Sequence, residues 1–131
     1  MPSLCKSIPL DNGLTLEIRD ASLIIAGDRW LVRIEARMAV PLREEDLDPL
    51  PEKATIYAIL ARTFGRKVPF LHVEERHFVD REKKEDLVRS LIENLCKNIL
   101  PYVGHPEFSK RFVLSRYLRL KRQDPRLFLG A

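Results

Sequence analysis

The densest run of ligand-type side chains is His72-x-Glu74-Glu75-x-His77. Imidazoles and carboxylates this close could hold a metal ion or work as an acid/base pair. The spacing argues against a closed metal site. Read as a strand, His72 and Glu74 share one face while Glu75 and His77 share the other, so each face offers two ligands where three or four are needed. The histidines are five positions apart, which is not the HExxH arrangement. An exposed edge strand of mixed charge, which discourages edge-to-edge pairing, explains the same residues. His72, Glu74 and His77 are kept as metal candidates behind that plainer reading, and no cofactor is expected.

The second group is the basic C-terminal stretch Lys110–Arg126. From His105 onward there are seven Lys/Arg against Glu107 and Asp124, while the first 104 residues carry 16 Lys/Arg against 17 Asp/Glu. The basic excess of the chain, +4 overall, is therefore wholly C-terminal. Lys110, Arg111, Arg116, Arg119, Lys121 and Arg122, interleaved with Phe112 and Tyr117, are the residues that could contact nucleic-acid phosphates. On a helix Arg111, Ser115, Arg119 and Arg122 share one face, giving a modest basic stripe. The competing reading is the solvated side of a terminal helix.

Other reactive residue types lack context. His105, between Gly104 and Pro106, fits the start of the last helix. Asp20, Ser22 and Asp28 fit turn and bulge chemistry, and no GxSxG elbow accompanies them. Cys5 and Cys96 have no metal spacing and no basic helix-terminal setting that would favour a thiolate. The five glycines (13, 27, 65, 104, 130) stand singly at element boundaries, which speaks against a phosphate-binding loop.

These residues must be positioned by a chain of 131 residues, expected to form one domain in residues 1–131 with a core of its own. Composition is that of a globular protein, 45% hydrophobic and 32% charged. The longest apolar run, LIIAG, cannot cross a membrane, and the N-terminus lacks a signal-peptide core. The expectation is a cytoplasmic protein with no membrane partner.

The clearest element is a helix at about 80–100. Leu87/Val88, Leu91/Ile92, Leu95/Cys96 and Ile99/Leu100 recur every four residues, with Glu85, Arg89, Glu93 and Lys97 as a charge ladder beside them. Asp80 suits its N-cap, and Pro101 is expected to stop it. A long β-hairpin spans about 14–40, turning at Ala26–Arg29. Trp30, Val32, Ile34, Ala36, Met38 and Val40 alternate with Arg33, Glu35 and Arg37, so one face is packed and one is wet. Leu14, Leu16 and Ile18 are out of phase with Ala21, Leu23 and Ile25, which predicts a bulge or break near Asp20–Ser22. Counting from the turn pairs Ile25 with Trp30, Leu23 with Val32 and Ala21 with Ile34, all core-facing. A further strand is expected at about 67–79 and a C-terminal helix at about 106–122. Segment 52–64 reads as helix from its end signals, with strand as the alternative. Residues 1–12 and 123–131 are expected to be less ordered or docked on a partner, and the apolar tail Leu127-Phe128-Leu129 to lie on its own chain or on a partner.

The expected fold class is α+β: a small antiparallel sheet led by the hairpin and covered by the two helices. With no catalytic constellation legible, the first expectation is a non-enzymatic interaction module, a homodimer, with room for another protein partner. Nucleic-acid binding through the C-terminal helix is the alternative, and an enzyme or metal site around His72–His77 the second alternative.

Overall fold

In the computed structural model, which describes residues 3–129, the fold is α+β, with a five-stranded antiparallel sheet and three α-helices. The strands are β1 (Ser3–Pro9), β2 (Thr15–Asp20), β3 (Leu23–Ala26), β4 (Arg29–Pro41) and β5 (Lys67–Asp80). The helices are α1 (Lys53–Phe64), α2 (Arg81–Val103) and α3 (Phe108–Gln123). The chain divides into two compact units, one of residues 3–38 and 70–105, the other of residues 39–69 and 106–129. Residues 1, 2, 130 and 131, which end the two expected loose stretches, lie outside the described residues.

In the first unit the alternation of β4 does what period-two patterning requires. Val32, Ile34, Ala36 and Met38 are buried, joined by Leu16 and Ile18 of β2 and by Val79. The helix α2 supplies Leu91, Ile92, Leu95, Ile99 and Val103 to the same core. Contacts near both of its ends fix how it lies. Lys84 sits over the Trp30 ring at 4.3 Å, on the core side of β4. At the other end the Asn12 side chain donates hydrogen bonds to the carbonyls of Val103 (2.8 Å) and His105 (3.1 Å). Thus α2 crosses the apolar face of the sheet, as its wide stripe demands.

Three details depart from the sequence reading. The lead-in contains β1, paired antiparallel to β2 from Ser3↔Asp20 to Pro9↔Thr15. Most of its side chains are exposed, so backbone pairing rather than burial holds it, and alternation gave no signal. Pro101 does not stop α2, which continues to Val103. The missing Pro101 N–H leaves the Lys97 carbonyl without its helical donor, but Lys97 is exposed and water can serve it. The hairpin pairs Leu23 with Leu31 and Ile24 with Trp30, one residue out of the expected register, because Ile25 is an extra residue in a bulge before Ala26↔Arg29. As a result Leu23 and Ile25 are exposed rather than core-facing. The tail takes the first of its two expected placements and docks on its own chain. Residues Pro125–Phe128 form a 3₁₀ turn, and the buried Phe128 meets Tyr117 edge-on at 5.2 Å.

The expected break at Asp20–Ser22 is present. β2 ends at Asp20, whose Oδ1 accepts from the Ser22 N–H at 2.9 Å, while the Ser22 hydroxyl accepts from the Arg33 N–H at 3.0 Å. These side-chain bonds replace the ladder where the strand phase changes. β2 and β3 follow each other along one edge of β4, and β5 pairs with its other edge.

The second unit has its own core. Val40, Leu42, Leu47, Ile56, Leu60 and Val68 are buried there with Phe108, Phe112, Val113, Tyr117 and Phe128. Segment 52–64 is helix, not strand: α1 buries Ile56 and Leu60 one turn apart and ends at Gly65 with φ 81°, a conformation open to glycine.

Candidate functional site

The structure splits the His72–His77 run across the two faces of β5. His72 Nε2 lies 3.1 Å from Glu74 Oε1, and Arg76 reaches Glu74 from the same face at 3.8 Å. On the other face Glu75 takes Arg33 at 2.6 Å and has His77 Nε2 at 3.6 Å. His72 and Glu74 are therefore brought together, but His77 is not brought to them. Among the described residues, no group of three or more His, Cys, Asp or Glu side chains could hold a metal ion.

Glu75 belongs to a charge network that the sequence showed only as a wet face. Glu35, in the middle of β4, is just 4% exposed. Arg33 Nε donates to its Oε2 and Arg37 Nε to its Oε1, both at 2.8 Å, so each carboxylate oxygen has its own guanidinium. Arg33 also donates to Glu75 Oε1 at 2.6 Å. Arg19 and Glu17 of β2 stand across from Glu35 and Arg37 and pair with each other at 3.3 Å. Burial pushes the Glu35 carboxyl up, yet the hydrogen bonds from Arg33 and Arg37 outweigh it and hold the carboxyl below its ordinary range. A carboxylate held ionised and doubly paired is an anchor for the sheet, not a proton donor. The signal in the sequence was the Arg-x-Glu-x-Arg spacing, which puts three complementary charges on one strand face.

The remaining reactive types are occupied structurally. His105 takes part in the α2–α3 corner through its carbonyl, which accepts from Asn12. The Cys5 thiol is pushed up by local desolvation and by Asp20, away from the thiolate. Cys96 lies half-buried in α2.

The C-terminal helix is different. α3 holds Lys110, Arg111, Arg116, Arg119, Lys121 and Arg122 and no acidic residue. Arg111, Ser115, Arg119 and Arg122 are all exposed, as one shared face requires. Among the described residues, no ion pair involves any of the six cations. Lys121 reaches the Tyr117 hydroxyl at 3.5 Å and lies 5.8 Å from the centroid of the same ring. By contrast Arg19, Arg33, Arg37, Arg76 and Arg89 each have a carboxylate within ion-pair reach.

No family model, curated protein or solved structure matches this chain. Function must therefore be argued from the geometry alone. Arg116 is the member of the α3 set that sequence reasoning could not distinguish. Its guanidinium carbon lies 5.2 Å from the centroid of the Phe64 ring, at the last residue of α1. Its Nε is enclosed and has no hydrogen-bond partner. Burial and the nearby charge of Arg119 lower its pKa from the ordinary value. No helix of the described residues is long and apolar enough to cross a membrane.

Proposed function

We propose that this chain is a non-enzymatic binding module that docks a polyanion, the phosphate backbone of a nucleic acid, on α3. The observation that carries this is a helix with six Lys/Arg, no acid and no internal counter-ion. Like charges crowded on one helix repel, and a polyanion relieves that repulsion while releasing its own condensed counter-ions. Four of the cations, Arg111, Arg119, Lys121 and Arg122, are exposed, so phosphates can approach them from solvent. The test is fluorescence anisotropy of a labelled single-stranded oligonucleotide and a labelled duplex across a salt series. The parent should bind both, with log K falling linearly in log salt. Replacing Arg111, Arg119, Lys121 and Arg122 by Gln should flatten that slope by up to about 3.6 units on the duplex and about 2.8 on the single strand. A parent that binds neither nucleic acid, or an unchanged slope in the variant, removes the proposal.

A second reading, a homodimer, rests on β3. Among the described residues its outer edge is unpaired, since β1 pairs with β2 from Ser3↔Asp20 to Pro9↔Thr15. On that edge Leu23, Ile24 and Ile25 are exposed, Ile24 by 56%, with no charge among the four residues of the strand. Natural edge strands usually carry charges or prolines that block pairing, and this one carries neither. Pairing with a second β3 would extend the sheet and cover the three side chains. Native mass spectrometry at micromolar concentration should show a dimer in the parent and a monomer in Ile24→Lys. A monomeric parent ends this reading. The unbridged cysteines accord with a reducing, cytoplasmic setting.

A further inference from the structure

We infer that Arg116, seated on Phe64 and backed by Arg119, is a discrete binding site for one phosphate-type oxyanion. This deepens the polyanion reading, since it names the residue that would grip a phosphate rather than merely attract it.

Packing against the Phe64 ring, with Nε enclosed, restricts the orientation of the planar Arg116 guanidinium. Only the terminal nitrogens can still find a partner outside the protein. A guanidinium edge of this kind matches two oxygens of a phosphate with parallel hydrogen bonds, and prior immobilisation lowers the entropic cost of forming them.

Arg33 and Arg37 share the buried Glu35 carboxylate, so their charges are compensated within the fold. Arg116 has no carboxylate partner among the described residues and has Arg119 one helical turn away. A partly buried charge that is unpaired and beside a like charge is unfavourable. An oxyanion held by the terminal nitrogens of Arg116 and approached by Arg119 removes both penalties. Arg111 and Arg122, exposed and free to move, offer attraction without that geometry.

The test is a titration of the full chain with inorganic phosphate at constant ionic strength, observing the arginine Nε–Hε signals by ¹⁵N-resolved NMR. The Arg116 signal should shift and saturate in the low-millimolar range, while those of Arg111 and Arg122 drift without saturating. Arg116→Lys keeps the charge but loses the fork, so the saturable response should vanish. Phe64→Leu removes the aromatic seat and should weaken phosphate binding by about tenfold. If the Arg116 signal drifts in step with Arg111 and Arg122, or if the remaining arginine signals of Arg116→Lys still report saturable binding at parent affinity, the inference is overturned. The oligonucleotide series separates the two ideas. Oligonucleotide binding without a saturable Arg116 response sinks the site alone. A saturable response without oligonucleotide binding upholds the site and sinks the polyanion reading.

Discussion

Phe108→Ala should lower the unfolding free energy by about 3–5 kcal/mol, the usual range for removing a large aromatic from a core. Phe108 is the largest fully buried side chain, at 0% exposure, and it begins α3. Its ring stacks on Phe112 at 5.5 Å with 13° between the planes, so both transfer energy and a ring contact are lost. The surroundings of a fully buried ring relax only in part, so a cavity cost adds to the lost transfer energy. A loss of this size is a large fraction of the total for an ordinary domain, about 5–15 kcal/mol. The control is Leu118→Ala in the same helix. Leu118 is more than half exposed, and its truncation should cost under about 1 kcal/mol. Urea denaturation followed by circular dichroism measures both. Equal midpoints for the two variants would show that Phe108 is not the anchor of its unit.

Why α2 and β4 could be read from sequence, and β1 and β3 could not, follows from where each gets its stability. α2 and β4 bury one side against a core, so their apolar residues recur at 3.6 and 2 positions and declare the element. Leu91, Ile92, Leu95 and Ile99 are all buried, and so are Val32, Ile34, Ala36, Met38 and Val40. β1 is an edge strand with mostly exposed side chains, held by β2 through the backbone, and backbone pairing leaves no periodic trace. In β3 the composition was right and the register was not. Nothing in Leu-Ile-Ile-Ala says which residue a bulge will leave over, and a slip of one position turns Leu23 and Ile25 outward. Pro101 is a local rule overridden by position: in the last turn of the helix, two residues before Val103, a lost donor is inexpensive. The sites divide the same way. Alternation alone already split the His72–His77 run, and the structure agrees. The special status of Arg116 among six similar cations was invisible, because it depends on Phe64, 52 positions away in the chain.

The other large effect concerns the wet face of the sheet. Glu35→Ala should destabilise the protein by about 3 kcal/mol, the lower end of the range for breaking a buried ion pair. The lower end applies because only the carboxylate is deeply buried: the Arg33 and Arg37 side chains are 30% and 47% exposed and keep part of their hydration. Arg37→Ala should cost much less, about 1 kcal/mol, because Glu35 is still held by Arg33 and the half-exposed Arg37 contributes as a surface partner does. That asymmetry follows from one carboxylate serving two guanidinium groups, and equal losses for the two variants would contradict it. The pH dependence has a definite sign. Folding lowers the Glu35 carboxyl below its ordinary 4.5, so the unfolded chain takes up a proton there first as the solution is acidified. The stabilisation is complete above that ordinary value and fades as pH falls through the lower, folded one. Glu35→Gln keeps the shape of the side chain and has nothing to titrate. Its deficit relative to the parent should be full near neutral pH and shrink as acid protonates the parent. Urea midpoints for both proteins at about pH 7 and about pH 3 test this. A deficit that stays constant would mean that Glu35 acts through packing, and that Arg33 and Arg37 only cover it.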